Sequence, residues 1–356
     1  MKRMLSFCLT LLLLAGMIAG CAGAPAQTQP ETTQQEDTTM KILMIGASLG
    51  YDVMYMLPAV AQNEGMTDFA FGLLYRSAGL NYHADYVQRS TPEYAYLEYV
   101  SGEDQVWRRA DCNGNFTYSV PSEANDKYIE DGSIAVTAEF GFSRHDWDVV
   151  IILPSSSEIT GRVSGNARED LNMASADVIM NWVKEHDIDP STTPEFGWHM
   201  SWSLPQDDTL LNDARRNFLR TYFNNDAHAM FEANVKTTKD VVAPALEGKV
   251  KYIFPCAAAL QNAKSASCVE DKDIHRDFIH GTDYGRLIAA YTWYCMITGT
   301  NIRDCKFGPV PNGLVRDTQV RNSGADYELT EEWKQVLIES VENAIANPYA
   351  LTQSQY

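Results

Sequence analysis

From residue 40 onward the chain alternates between short apolar runs and longer stretches in which apolar residues recur every three or four positions. Residues 41–45 read as a strand that runs into Gly46-Ala47-Ser48. Met54, Leu57, Val60 and Ala61 then recur at helical spacing from about Asp52 until Gly65 closes the element. Residues 69–75 predict a second strand, ending at Arg76-Ser77-Ala78-Gly79-Leu80, and residues 147–153 form a continuous apolar run of the kind buried in parallel sheets. Leu171, Ala174, Val178, Trp182 and Val183 mark an amphipathic helix lying on that sheet. Residues 196–202 and 249–255 predict a fourth and a fifth strand, separated by a charged helical region over about 210–245 that breaks near Asn224-Asn225. A short helix is expected over 257–264. Tyr284, Leu287, Ile288, Tyr291 and Cys295 line another helix, stopped by Gly299, and Trp333, Leu337, Val341 and Ile345 a last one, stopped by Asn347-Pro348.

The texture changes over about 84–146. Residues 94–100 and 116–120 alternate, with turn signals at Ser101-Gly102 and Asn113-Gly114-Asn115, which predicts a small antiparallel β insertion serving as a lid or substrate rim. Strands alternating with helices predict an α/β architecture whose ligands lie at the carboxyl ends of parallel strands. Ser48, Ser77, Ser155 and the segment 198–202 would sit at such ends.

The first forty residues have a different character. A cationic start at Lys2-Arg3, an apolar run over 4–18 and small residues before Cys21 read as a secretory signal. Ile18-Ala19-Gly20-Cys21 resembles the bacterial lipobox, which implies cleavage before Cys21, a lipid on its thiol, and an exported protein anchored at the cell envelope or surface. A plain signal peptide that happens to contain Cys21 is the alternative. Residues 22–39 hold no large apolar side chain and are expected to form a flexible tether. The expected organisation is therefore a signal peptide over 1–20, a tether over 21–39, one domain over 40–347 and a tail over 348–356.

The formal net charge is −19, and removal of Lys2 and Arg3 with the signal would leave about −21. With no basic stripe, nucleic acid and polyanionic ligands are not expected partners. Besides Cys8 and Cys21 the chain has Cys112, Cys256, Cys268, Cys295 and Cys305, with no Cys-x-x-Cys pair and with scattered histidines, which argues against a structural zinc site. Cys256 with Cys268 and Cys295 with Cys305 are close enough in sequence to pair, though spacing leaves connectivity open. No cofactor or metal is expected.

The candidate chemistry lies at two distant places. Asp277-Phe278-Ile279-His280 puts a carboxylate and an imidazole on one side of a turn, so that the acid can hold Nδ1–H while Nε2 faces outward as a base. Ser48, delivered by a strand to the start of a helix, would supply the nucleophile, with Gly46 making the tight turn. Each residue has another job open to it: Ser48 as a helix cap, Asp277 as a turn cap, His280 as a solvated loop histidine. His275 competes nearby and is expected at the surface. His83 could line the cleft or be structural. Trp198, His199 and Trp202 could stack on a sugar ring or pack in the core. Gln261 and Asn262 begin a helix near the presumed site.

The order Ser…Asp-x-x-His resembles the SGNH (GDSL-type) esterases, and the likeness extends to an uncharacterised bacterial branch of that superfamily. It is carried by residues 45–50 (Ile-Gly-Ala-Ser-Leu-Gly), 147–150 (Trp-Asp-Val-Val), 198–202 (Trp-His-Met-Ser-Trp), 259–263 (Ala-Leu-Gln-Asn-Ala) and 285–290 (Gly-Arg-Leu-Ile-Ala-Ala), besides the Asp-x-x-His. The resemblance implies a three-layer α/β/α fold with a mostly parallel five-stranded sheet, and an esterase acting on a small-molecule or glycan ester. It implies oxyanion donors from the serine N–H, from Gly79 or its neighbour Ser77, and from a third block after Leu153. There the chain departs from the pattern: Pro154 has no N–H, and Ser155 replaces a longer amide. Ala47 also departs from the Asp or Asn usual before the serine. These departures motivate a second reading, a glycan-binding lipoprotein that keeps the fold with weakened catalysis.

Overall fold

The structure, a computed structural model, describes residues 39–102, 105–119, 129–160, 172–187, 192–308 and 329–356. The expected signal, Cys21 and the expected tether up to residue 38, together with Leu171, lie outside these residues. Strands β1 (Met40–Gly46), β2 (Phe69–Tyr75), β3 (Tyr94–Val100), β4 (Arg108–Ala110), β5 (Phe116–Tyr118), β6 (Ala135–Val136), β7 (Val149–Leu153), β8 (Glu195–His199) and β9 (Tyr252–Phe254) form one sheet. The order is β5-β4-β3-β2-β1-β7-β8-β9, with β6 pairing on β3. The five strands β2-β1-β7-β8-β9 are mutually parallel, as the alternation of elements predicts.

The described part of the expected β insertion joins the main sheet. Its first part is the end of helix α2 (Leu80–Arg89). Strands β3 to β5 then continue the sheet antiparallel from the β2 edge, and β3 is buried along nearly its whole length. The alternation of residues 94–100 thus reflects two covered sheet faces.

Alternation along β1 sorts the core. Ile42 and Met44 join one apolar cluster with helix α1 (Leu49–Asn63), while Leu43 and Ile45 join the opposite one with α2. Short helices α3 (Ala138–Phe142) and α4 (Ser156–Ile159) flank β7, and α5 (Met173–Glu185) packs on the α2 face through Ile179, Met180 and Val183. The other face carries α6 (Asp213–Phe223), α7 (Ala227–Thr237), α8 (Cys256–Lys264), α9 (Asp283–Thr298) and α10 (Glu331–Ala346). Each large aliphatic side chain so covered contributes about 1.5–3 kcal/mol.

The predicted punctuation is present where the backbone enters the left-handed region: Gly65 (φ 87°), Asn224 (φ 52°), Asn225 (φ 60°) and Gly299 (φ 73°). The five cysteines from Cys112 onward are free thiols, so neither suggested pair is bonded. No described helix is long and apolar enough to cross a membrane.

Candidate active site

Gly46 ends β1 opposite Tyr75 on one side and Leu153 on the other. The chain beyond it, bearing Ser48, therefore emerges between the loop after β2 and the loop after β7. A Cβ on Gly46 would sit 2.4 Å from the Leu153 carbonyl oxygen, so close approach of β7, rather than a turn conformation, requires glycine here. Ser48 is the N-cap residue of α1, yet its side chain makes no capping bond. Its Oγ lies 2.9 Å from His280 Nε2.

His280 is reached through a tight loop before α9. Asp277 Oδ1 accepts the backbone N–H groups of Ile279 and His280, each at 2.9 Å, and both carboxylate oxygens lie 3.0 Å from His280 Nδ1. Burial alone would raise the Asp277 carboxyl, but the His280 hydrogen bond and charge, with the two N–H groups, hold it well below the usual carboxylate range. The imidazole is walled by Tyr51, whose ring is stacked at 5.7 Å and whose hydroxyl is 3.4 Å from Nε2, and by Phe278 at 5.7 Å. Trp202 Nε1–H donates to the Ile279 carbonyl at 2.7 Å and fixes the loop from below.

The loops flanking Ser48 are joined by a residue that the pattern of the sequence does not single out. Glu158 Oε1 accepts the Leu80 N–H at 2.8 Å, and Oε2 accepts the Ser155 N–H at 3.0 Å. Burial pushes its carboxyl up, against the opposing pull of those N–H bonds. The consequence for Ser155 is decisive. Its N–H is spent on Glu158, its Oγ caps α4 by accepting the Glu158 N–H at 3.4 Å, and that Oγ also lies 3.3 Å from Ser157 Oγ. Ser155 as it stands caps α4, and its N–H is not available to an oxyanion. Gly79 begins α2, half-buried, and a Cβ there would be 2.7 Å from Glu158 Oε1. The N–H groups of Ser48 and Gly79 are not engaged in hydrogen bonds among the described residues. Ser77 is exposed on the same loop.

The remaining candidates fall elsewhere. His83 is buried against Tyr94, with Nδ1 3.1 Å from the Tyr94 hydroxyl, and burial lowers its pKa to about 4. Trp198 and His199 are fully buried, and His199 Nδ1 accepts the Trp293 Nε1–H at 3.1 Å. Neither they nor Trp202 present a face to a sugar. His275 is buried rather than at the surface. Asn262 accepts the Thr352 N–H at 2.8 Å and donates to the Ser340 carbonyl at 3.3 Å, so it anchors the C-terminal segment. Gln261 is half-buried on the same helix.

Asp52, one turn beyond Ser48, is the other residue that pattern reading passes over. It is fully buried, accepts the Gly281 N–H at 2.9 Å on Oδ2 and Arg286 Nε–H at 2.8 Å on Oδ1, and so touches the residue next to His280.

The crystal structure of a DUF4886 family protein from Bacteroides uniformis ATCC 8492 is similar over 89% of this chain and 98% of its own, at 19% identity and a TM-score of 0.58. A protein from Slackia heliotrinireducens, provisionally assigned as an SGNH hydrolase, aligns over 73% of this chain and 100% of its own at 15% identity and a TM-score of 0.38. No curated protein matches the sequence. Residues 123–327, which contain Asp277 and His280 but not Ser48, match the family described as a domain of unknown function, and by that match over more than half its length the chain belongs to the DUF4886 family.

Proposed function

We propose that the protein is a serine esterase of SGNH type, removing an acyl group, most simply acetyl, from a glycan or another surface or dietary ester. The observation that carries this reading is the 2.9 Å contact between Ser48 Oγ and His280 Nε2, with Asp277 on the far side of the ring. In this mechanism Ser48 Oγ attacks the ester carbonyl carbon while His280 Nε2 takes its proton. Asp277 keeps the Nδ1–H tautomer and stabilises the imidazolium. The C–O bond to the alcohol breaks as His280 returns the proton to the leaving oxygen. Water, deprotonated by the same nitrogen, then releases the acid from the acyl-serine. The carbonyl oxyanion would be met by the N–H groups of Ser48 and Gly79, each such donor contributing about 2.7–4 kcal/mol.

The leader pattern supports an exported protein anchored through a lipid on Cys21 at the cell envelope or surface, where acylated glycans are at hand. Mass determination of the membrane-extracted N-terminal peptide tests that part.

A second reading, a glycan-binding lipoprotein with weakened catalysis, is favoured by the third donor position: Pro154 lacks an N–H, and the N–H and hydroxyl of Ser155 are engaged by Glu158 and Ser157. Acetate release from O-acetylated xylan and O-acetylated mannan oligosaccharides, with His280→Ala as control, separates the two. Turnover lost in the variant supports the esterase; binding of those glycans without turnover supports the second reading.

A further inference from the structure

The nucleophile and its base come from segments 232 residues apart. A productive hydrogen bond between them needs α1 and the loop before α9 to be held in register within a few tenths of an ångström. Asp52 is placed to do this. It stands four residues after Ser48 on α1, and Gly281 stands one residue after His280. Both carboxylate oxygens of Asp52 are used: Oδ2 on the Gly281 N–H at 2.9 Å, and Oδ1 on Arg286 Nε–H at 2.8 Å in the first turns of α9. Asp52 and Arg286 have no solvent exposure. The Arg286 guanidinium lies over the Tyr55 ring at 4.5 Å, one further turn along α1. Arg276, just before Asp277, approaches the same Asp52 oxygen at 3.8 Å.

We infer that Asp52 is a positioning residue: its carboxylate ties the Ser48 helix to the His280 loop, and Arg286 holds that carboxylate in place. A buried ion pair is weak evidence of a stabilising role, because desolvating two charges offsets their attraction, so packing alone gives little reason for it here. Its geometric effect is specific. The Gly281 hydrogen bond fixes the backbone beside His280 to α1, whereas Tyr51, also on α1, meets the ring through a stacked face at 5.7 Å and a long 3.4 Å contact that leave it room to shift from Ser48.

The test compares Asp52→Asn/Arg286→Met with Asp52→Ala/Arg286→Met in the full chain. Both remove the Asp52 and Arg286 charges together, leave Arg276 and Asp283, each 3.8 Å from one of the pair, equally placed in the two variants, and only the asparagine keeps an acceptor for the Gly281 N–H. Crystal structures of the two give the Ser48 Oγ to His280 Nε2 distance, a readout that does not need turnover. The inference expects this contact to open beyond hydrogen-bond reach in the alanine variant and to persist in the asparagine variant. A contact unchanged in the alanine variant overturns it. The kinetic arm rests on the esterase reading: kcat on p-nitrophenyl acetate falls about 100-fold in the alanine variant, with KM within about threefold of wild type. The asparagine variant retains at least about tenfold more of that activity than the alanine variant. Equal kcat in the two variants also overturns the inference. A wild-type protein that turns over nothing sinks the esterase reading and leaves the distances to decide the role of Asp52. Should the alanine variant not fold, Asp52→Leu/Arg286→Met, close to asparagine in size and without an acceptor, is read in the same way.

Discussion

Glu158 Oε1 accepts the Leu80 N–H at 2.8 Å, so a carboxylate from the segment after β7 holds the loop after β2. Ser48 emerges between those two segments, and the Gly79 N–H is carried by the loop that is held. Replacing Glu158 with alanine leaves the Leu80 and Ser155 N–H groups without their acceptor. The expected loss is about 1.5–3 kcal/mol of stability for each charged hydrogen bond. If Gly79 is displaced as a result, esterase activity falls by about two orders of magnitude. Thermal unfolding and kcat/KM on a small ester check both parts.

Gly79→Ala acts on the same contact from the other side. The added methyl would stand 2.7 Å from Glu158 Oε1 and displace the end of that flexible side chain. The effects of Gly79→Ala and Glu158→Ala on activity are therefore expected to be non-additive, with the double variant little worse than the worse single. Fully additive losses in a double-mutant cycle would show that the two residues act separately.

Asp277→Asn keeps an acceptor for the Ile279 and His280 N–H groups but can present an amide to the ring, favouring the wrong imidazole tautomer. The fold should survive while kcat drops about 10⁴-fold. Circular dichroism and turnover measured on the same preparation separate this from unfolding.

Stability should also depend on pH through three histidines outside the triad. Burial lowers the pKa of His83 to about 4 and of His199 to about 3; burial, reinforced by the Lys264 charge, lowers His275 to about 3. In the unfolded chain each takes up its proton near pH 6.5. The unfolded state thus binds more protons between about pH 6.5 and 4, and stability rises with pH across that window. Glu98 acts at lower pH. Burial opposes its ionisation, but His145, Arg144 and Tyr96 hold its carboxyl down to about 2. Its contribution is present above the ordinary carboxylate pKa and is lost as pH falls through about 2. Chemical denaturation of wild type and His199→Gln at pH 7 and pH 5 tests the histidine part: the wild type loses stability on acidification, and the variant loses less.

How much of this was legible depends on whether a contact is local. Asp277 and His280 are three residues apart, so their pairing follows from spacing. The parallel strands are likewise written as continuous apolar runs. Trp198 and His199 left two readings open because a strand covered on both faces carries the same aromatic residues as an exposed binding platform, and their burial decides for the core. His275 misled for a similar reason, since a polar residue in a loop gives no sign that the next helix will bury it. Residues 94–100 alternate as a small insertion would, and only pairing with β2 reveals them as part of the main sheet. Glu158 and Asp52 could not be found by spacing at all. Their partners, Leu80 and Gly281, are 78 and 229 residues away, and only the strand order and the docking of α9 on α1 bring them together.

The most direct test of the central claim is covalent labelling with a fluorophosphonate probe followed by mass mapping of the modified peptide. A hydroxyl polarised by the His280 imidazole should react, with the label on Ser48, absent in Ser48→Ala and strongly slowed in His280→Ala. A folded wild-type protein that takes no label and hydrolyses no p-nitrophenyl acetate, or a label that persists in Ser48→Ala, would contradict the account.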